Sequence, residues 1–229
     1  MNTKTKKKLA SLCAMIFWLM VLGGSVFALA AYADYQPPRE LSSLWEQNHD
    51  VIGALSIPGT DIHYPILQHP TVDDYYLNVC FDGSEGYPGS IYTNAVEGQR
   101  FDTFNTVIYG HNMRDGSFFG SLKDFRDLDF LAEHREIDIY AVDAKHTYAI
   151  FAVVIYNDKR ITDYFPDDTL TGRKAFLRSL QDDGAEGTIL LTDVPVDPNW
   201  GRIITLSTCI SDMPNNRLLI VAAECASEG

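Results

Sequence analysis

The stretch RIITLSTCISDMPNNRLLIVAA (Arg202–Ala223) decides the fold. Two runs dense in Ile, Leu, Val and Thr, 202–208 and 217–223, flank a polar segment, ISDMPNN (210–216), that contains Pro214 and two asparagines. Apolar, β-branched runs separated by turn-forming residues predict two strands joined by a loop. Cys209 then stands at the end of the first strand, beside a polar loop. Arg217 opens the second strand, and a hairpin folds it back towards that cysteine.

Upstream the same texture recurs. VIGALSIPG (51–59) and DIHYPIL (61–67), broken by Pro58-Gly59 and Pro65, predict a hairpin with an edge. GSIYTN (89–94), NTVIYGH (105–111), EIDIYAV (136–142) and HTYAIFAVVIY (146–156) read as further strands, the second ending at a histidine. Helical signals are short. ELSSLWEQNH (40–49) places Leu41, Leu44 and Trp45 on one face, and TVDDYYLN (71–78) suits one or two turns capped by Thr71. Ser117–Phe125 and Leu170–Leu180 are amphipathic, the latter stopping near Gly184, while Phe81–Gly89 is a Gly- and Pro-rich loop. Seven or eight strands with so little helix between them predict a mainly β (α+β) protein: a closed or nearly closed β-barrel with peripheral helices, not a parallel α/β sheet.

The N-terminus differs in kind. Leu9–Ala31 carries no charge, is long enough to cross a bilayer core, and follows Lys4, Lys6, Lys7 and Lys8. A cleaved signal peptide is the competing reading, but the apolar run exceeds the usual length of its hydrophobic region. The expected organisation is a cytoplasmic basic tail (1–8), a single transmembrane signal anchor (9–31), a linker and N-terminal helix (32–49) and a catalytic domain (50–229) outside the cell.

All 31 acidic residues lie beyond the apolar run, against 14 of the 18 basic ones, so the exported part carries a formal charge of −17. Such a surface argues against nucleic acid as a partner.

Four cysteines occur, Cys13 in the apolar run and Cys80, Cys209 and Cys225 beyond it. Three in a compartment that permits disulfides leave at least one free unless chains pair, and a bridge between Cys80 and Cys225 stays open. No Cys-x-x-Cys spacing exists, and His49, His63, His69, His134 and His146 show no ligand register. Neither a metal nor another cofactor is expected. Asp163, Asp167 and Asp168 lack the register of a calcium loop and read as a solvated face.

A nucleophilic thiol needs a proton donor for the leaving group and something to stabilise the oxyanion. A guanidinium, charged at any relevant pH, can do the latter. Cys209, His111 and Arg217 are the residues of the right types at strand ends. Singly, each is also compatible with a packed thiol, a surface histidine and a salt-bridging strand end.

Taken together, TLSTC (205–209), YGHNM (109–113) and NNR (215–217) resemble the sortases, the cysteine transpeptidases of Gram-positive cell surfaces. YYLN (75–78), GSIYTN (89–94) and HNMRDGSFFGSL (111–122) extend the resemblance across roughly residues 40–224. The long insert around 157–184 resembles class B. The resemblance implies Cys209 as nucleophile, His111 as general acid/base and Arg217 as the oxyanion- or substrate-positioning residue. Asn94, Ser207, Ile161 and Tyr164 are candidates for lining the substrate groove.

The implied substrate is a secreted surface protein bearing a C-terminal sorting signal, NPxT-like or PPxTG-like. Its acyl group passes through a thioester to an amine of a peptidoglycan precursor or, in the alternative, of a pilin subunit. A thiol peptidase and a catalytically silent surface binding module are the remaining alternatives. One departure stands out: Ile210 follows the cysteine where some class B relatives carry an acidic residue.

Overall fold

Successive side chains along the strands point to opposite faces of a closed sheet. Burial is nearly continuous along Asn105–Tyr109, Ile203–Ile210 and the middle of Lys145–Asn157, because both faces are covered there. A computed structural model of the protein describes residues 39–225 apart from 96, 98–100, 143, 183 and 185. The basic tail and the anchor expected at 9–31 lie outside the described residues. Among those described, no helix is long and apolar enough to cross a membrane.

Nine strands are described: β1 (Val51–Ser56), β2 (His63–Gln68), β3 (Tyr92–Thr93), β4 (Asn105–Tyr109), β5 (Glu136–Ala141), β6 (Lys145–Asn157), β7 (Ile189–Leu190), β8 (Ile203–Ile210) and β9 (Met213–Glu224). Their order is β5-β1-β2-β3-β4-β8-β9-β6-β7, and β5 also pairs with β6. Eight strands therefore close a barrel, and two-residue β7 is appended to β6. The expected barrel is what forms. β6 can close it because thirteen residues let it bond β9 on one side and, in turn, β5 and β7 on the other.

Leu55, Ile66, Ile108, Ile139, Ile204, Leu206 and Ile220, all almost fully buried, fill the interior. Leu122 and Phe125 of a 3₁₀ segment, Gly120–Arg126, and Phe119 just before it pack against this interior. Burying each such side chain contributes about 1.5–3 kcal/mol. The outer face of β4, β8, β9 and β6 carries Val107, Ile203, Leu219, Val221, Val154 and Tyr156, and Phe176 and Leu180 pack on it. These come from a helix at Leu170–Asp182 (α4). A third cluster joins Leu41 of α1 (Arg39–Gln47) to Leu67, Tyr76 and Tyr92.

Several local expectations need correction. Neither strand of the β1–β2 hairpin is an edge, because β1 also pairs with β5 and β2 with β3. Pro65 is tolerated because β3 bonds β2 only at Leu67 and Gln68. Thr71 caps nothing: the helical turn is a 3₁₀ segment at Tyr75–Leu77, preceded by Asp74 in the left-handed region (φ 55°).

Trp45 does not join the buried face of α1; it is 47% exposed and leans on His49. Two helices carried no clear signal, α2 (Leu128–Glu133) and α3 (Ile161–Tyr164). For α2 a cap was there to read, since Asp127 Oδ1 accepts from the Asp129 and Phe130 amides at 3.0 Å each. Cys80, Cys209 and Cys225 are all free thiols, so the bridge left open between Cys80 and Cys225 does not form.

Between β3 and β4 the chain buries Glu97. Val107 N–H donates to its carboxyl, but Oε1 has no partner among the described residues. Burial first, then the nearby Asp167 charge, pushes its pKa from an ordinary 4.5 up to about 8. The folded state thus keeps a proton that the unfolded chain releases. This contribution to stability is complete below about pH 4.5 and is lost as pH rises through about 8. Glu97→Gln keeps an acceptor for Val107 and removes the titration. Urea unfolding should show a flatter pH dependence for the variant between about pH 5 and 9, and a gain over wild type on the alkaline side.

Candidate active site

Parallel pairing of β4 with β8 runs from Asn105–Ile203 to Tyr109–Ser207, so both strands leave the sheet at the same rim. Beyond the last pair the match is continued by other bonds. Gly110 N–H donates to Ser207 O (3.2 Å), Thr208 Oγ1 donates to Gly110 O (2.7 Å), and Asn112 Nδ2 donates to Cys209 O (2.9 Å). Residues 98 positions apart, His111 and Cys209, are thereby held at neighbouring stations. β9 returns antiparallel on the far side of β8 and sets Arg217 directly opposite Cys209.

Cys209 was expected where the strand gives way to a loop. Instead β8 runs on to Ile210, which pairs with Met213, and the irregularity falls just after the Cys209–Arg217 pair. The extra residues of ISDMPNN bulge out of β9.

Period-two alternation explains the groove. Ser207 and Cys209 share a face of β8, Arg217 and Leu219 a face of β9, and Tyr109 and Tyr156 join them from β4 and β6. A groove of about 250 Å³ is lined by these side chains, by His111, by Asp74 and Leu77, by Asn157 at the end of β6 and by the segment 158–161 that follows it. Cys209 is exposed, and Ser207 and Ile161 line the groove with it.

Asn94 and Tyr164 are placed elsewhere. Asn94 is fully buried, its Oδ1 accepting from Asp74 N–H at 3.2 Å and its main-chain oxygen from Gln68 Nε2 at 2.9 Å. Tyr164 is 58% exposed and lines a smaller adjoining cavity of about 90 Å³.

The polar contacts are specific. His111 Nε2 lies 3.0 Å from Leu77 O. A carbonyl only accepts, so Nε2 carries the proton there and Nδ1 is left for chemistry. Tyr87 leans on the imidazole with ring centroids 4.9 Å apart. The Arg217 guanidinium donates to Asn216 O (3.1 Å) and Pro214 O (3.5 Å) and has no carboxylate partner among the described residues, so its charge stays uncompensated beside the thiol.

Tyr109 forms the floor. Burial, then the Glu97 charge, drives its phenol pKa far above the ordinary value, so it stays neutral. Among the described residues, no three His, Cys, Asp or Glu side chains converge as metal ligands would. Leu77, Tyr87 and Asn112 were not singled out from the sequence. Leu77 and Asn112 stand inside the quoted motifs YYLN and YGHNM, but nothing in their residue types announces a role.

A strand-held thiol with a histidine and an unpaired guanidinium at its sides, opening on a groove, has the parts of a cysteine acyl-transfer enzyme. Similarity to known proteins narrows the class. Residues 55–225 match the model of the sortase domain, so the chain belongs to the sortase family of cysteine transpeptidases. It is 34% identical over 187 residues to sortase B of Listeria monocytogenes, covering 79% of this chain and 72% of that one. The solved sortase B of Clostridium perfringens superposes with a TM-score of 0.71 at 27% identity, over 81% of this chain and 99% of that one. A class B sortase of Streptococcus pyogenes involved in pilus biogenesis gives 0.68 at 26%, over 80% and 97%. Among sortases, class B is thus the class this chain resembles.

Gly110, on the groove, leaves no room for a side chain. A Cβ there would come within 2.4 Å of Ile91 Cδ1 and 2.7 Å of the Phe119 ring. Gly110→Ala should cost about 1–3 kcal/mol by overpacking. It should lower the melting temperature by several degrees and, by shifting His111, slow alkylation of Cys209. Calorimetry and iodoacetamide labelling followed at Cys209 check both.

Proposed function

We propose that the protein is a membrane-anchored class B sortase that cleaves the C-terminal sorting signal of a secreted surface protein and joins it to an amine of a peptidoglycan precursor. One observation carries the reading: parallel β4–β8 pairing and antiparallel β8–β9 pairing gather His111, Cys209 and Arg217 around one groove. The Cys209 thiolate attacks the Thr carbonyl of an NPxT-like or PPxTG-like motif. Arg217 stabilises the oxyanion, and protonated His111 gives its Nδ1 proton to the departing amine. The thioester then meets the incoming amine, His111 takes up a proton from it, an amide forms, and the thiolate leaves. A thioester keeps much of the acyl-transfer potential of the amide, so no nucleotide is needed outside the cell.

Ser207 and Ile161 line the acyl-side groove in this reading. The uncharged run 9–31 behind its lysines holds the domain at the outer face of the cell membrane, with the N-terminus in the cytoplasm. A pilin-joining role shares the first half-reaction and differs only in the amine; the likeness to the Streptococcus pyogenes enzyme favours testing it.

With fluorogenic peptides of both motif types, Cys209→Ala should lower cleavage by roughly 10³-fold or more. Arg217→Ala should lower kcat by about 10²–10³-fold with a smaller change in KM. An added amine nucleophile should divert wild-type product from hydrolysis to transpeptidation. Undiminished cleavage by Cys209→Ala would sink the assignment.

A further inference from the structure

Arg160 lies in the segment that follows β6 and lines the groove. Its guanidinium is divided between two consecutive carboxylates on the facing wall: Nη1 meets Asp73 Oδ2 at 3.0 Å, and Nη2 meets Asp74 Oδ2. The other oxygen of each acid is already engaged. Ala95 N–H donates to Asp73 Oδ1 at 2.8 Å, and the Tyr92 hydroxyl donates to Asp74 Oδ1 at 3.1 Å. Asp74 also holds the left-handed conformation (φ 55°), uncommon for a residue with a side chain, and its N–H is fixed by Asn94. Bonds from β3 and the residues after it thus fix a two-carboxylate receptor that faces a fork-shaped cation.

That receptor connects to the chemistry. Asp74 precedes the turn Tyr75–Leu77, and Leu77 O is the acceptor of His111 Nε2. Between the Arg160 guanidinium and the imidazole stand one doubly shared ion pair, one helical turn and one hydrogen bond.

The geometry points to Arg160, Asp73 and Asp74 as a latch that joins the two walls of the groove and, through Leu77, fixes the ring of His111. Arg160 is a positioning residue, since it meets the imidazole only through others. The inference rests on reading His111 as the acid/base group and extends it to a residue within the insert that follows β6. Lysine cannot replace it fully, because an ammonium does not span two carboxylates as a planar fork does.

The test uses the full-length protein and two readouts. Iodoacetamide alkylation of Cys209 is followed by mass spectrometry across pH, which needs no sorting peptide, and kcat and KM are measured on the peptide that wild type cleaves best. Arg160→Gln and Asp74→Asn should each displace the pH profile of alkylation and lower kcat roughly tenfold, the scale expected for a slightly misplaced catalytic group. Arg160→Lys should fall between wild type and Arg160→Gln. The double variant Arg160→Gln/Asp74→Asn should be no worse than the worse single one.

A wild-type alkylation profile in Arg160→Gln, with only KM raised, overturns the latch and leaves Arg160 as a groove wall; additive effects in the double variant overturn it too. If Arg160→Gln does not fold, Asp73→Asn, which weakens one of the two ion pairs, decides by the same criteria. Should wild type cleave no sorting peptide, the sortase reading fails, while the alkylation arm still judges the latch.

Discussion

Everything at the site depends on one piece of backbone pairing, the parallel ladder between β4 and β8. Parallel neighbours deliver their C-terminal ends to the same rim, so two residues far apart in the chain arrive side by side without any contact of their own. The ladder is reinforced where it would otherwise fray. Gly110, Thr208 and Asn112 extend it by bonds past its last regular pair, one of them from a side chain to the carbonyl of Cys209. Antiparallel β9 then supplies a cation opposite the thiol. A nucleophile held by a buried strand with neighbours bonded on both sides loses little freedom when it reacts, which is the condition for orientation to contribute to rate.

Sheet geometry also decides which face does the work. The closed interior is filled with apolar side chains, and the groove lies on the outer face, where the alternation of β8 and β9 turns Ser207, Cys209, Arg217 and Leu219 outward together. Further along the same strands that face is covered by α4, which fills it with Phe176 and Leu180. The groove is the uncovered end of an otherwise ordinary helix-on-sheet contact. The insert 157–184 therefore serves two purposes: its helix buries one part of the face, and its first residues wall the rest.

Much of this was legible in the sequence because period-two alternation and β-branched runs are local signals. The barrel class, most strands and the 170–180 helix follow from them. So does the near approach of Arg217 to Cys209, a consequence of a short hairpin. The position of His111 was not legible from local pattern, since parallel pairing across 98 residues leaves no spacing to read; it came from the resemblance of YGHNM, TLSTC and NNR. Asn94 was expected on the groove and is instead a buried acceptor that fixes Asp74. A polar residue at a strand end looks the same in sequence whether it faces solvent or holds a neighbouring loop. The Arg160 pairing escaped for a related reason: NDKRITDYFPDD holds several charges, and only the fold shows that one of them has a receptor built for it.

The cost of the site is visible in what surrounds it. Among the described residues three non-glycine ones have positive φ, Asp74, Phe101 and Phe118, and two of them sit at the edges of the groove machinery. Asp74 precedes the turn that binds His111. Phe118 closes the loop that begins at His111, bridging to Asn112 and donating its N–H to the Tyr64 hydroxyl at 2.8 Å. Beneath the groove, the Tyr109 hydroxyl, Glu97 Oε1 and Asn94 Nδ2 are buried without hydrogen-bond partners among the described residues. Buried polar atoms of this kind cost about 1–3 kcal/mol each, and left-handed backbone at a non-glycine residue costs a comparable amount. The barrel carries that load on its closed ladder and its large apolar interior. Part of the conformational strain and unmet polarity of the described residues thus lies where walls must be held at fixed positions around a thiol.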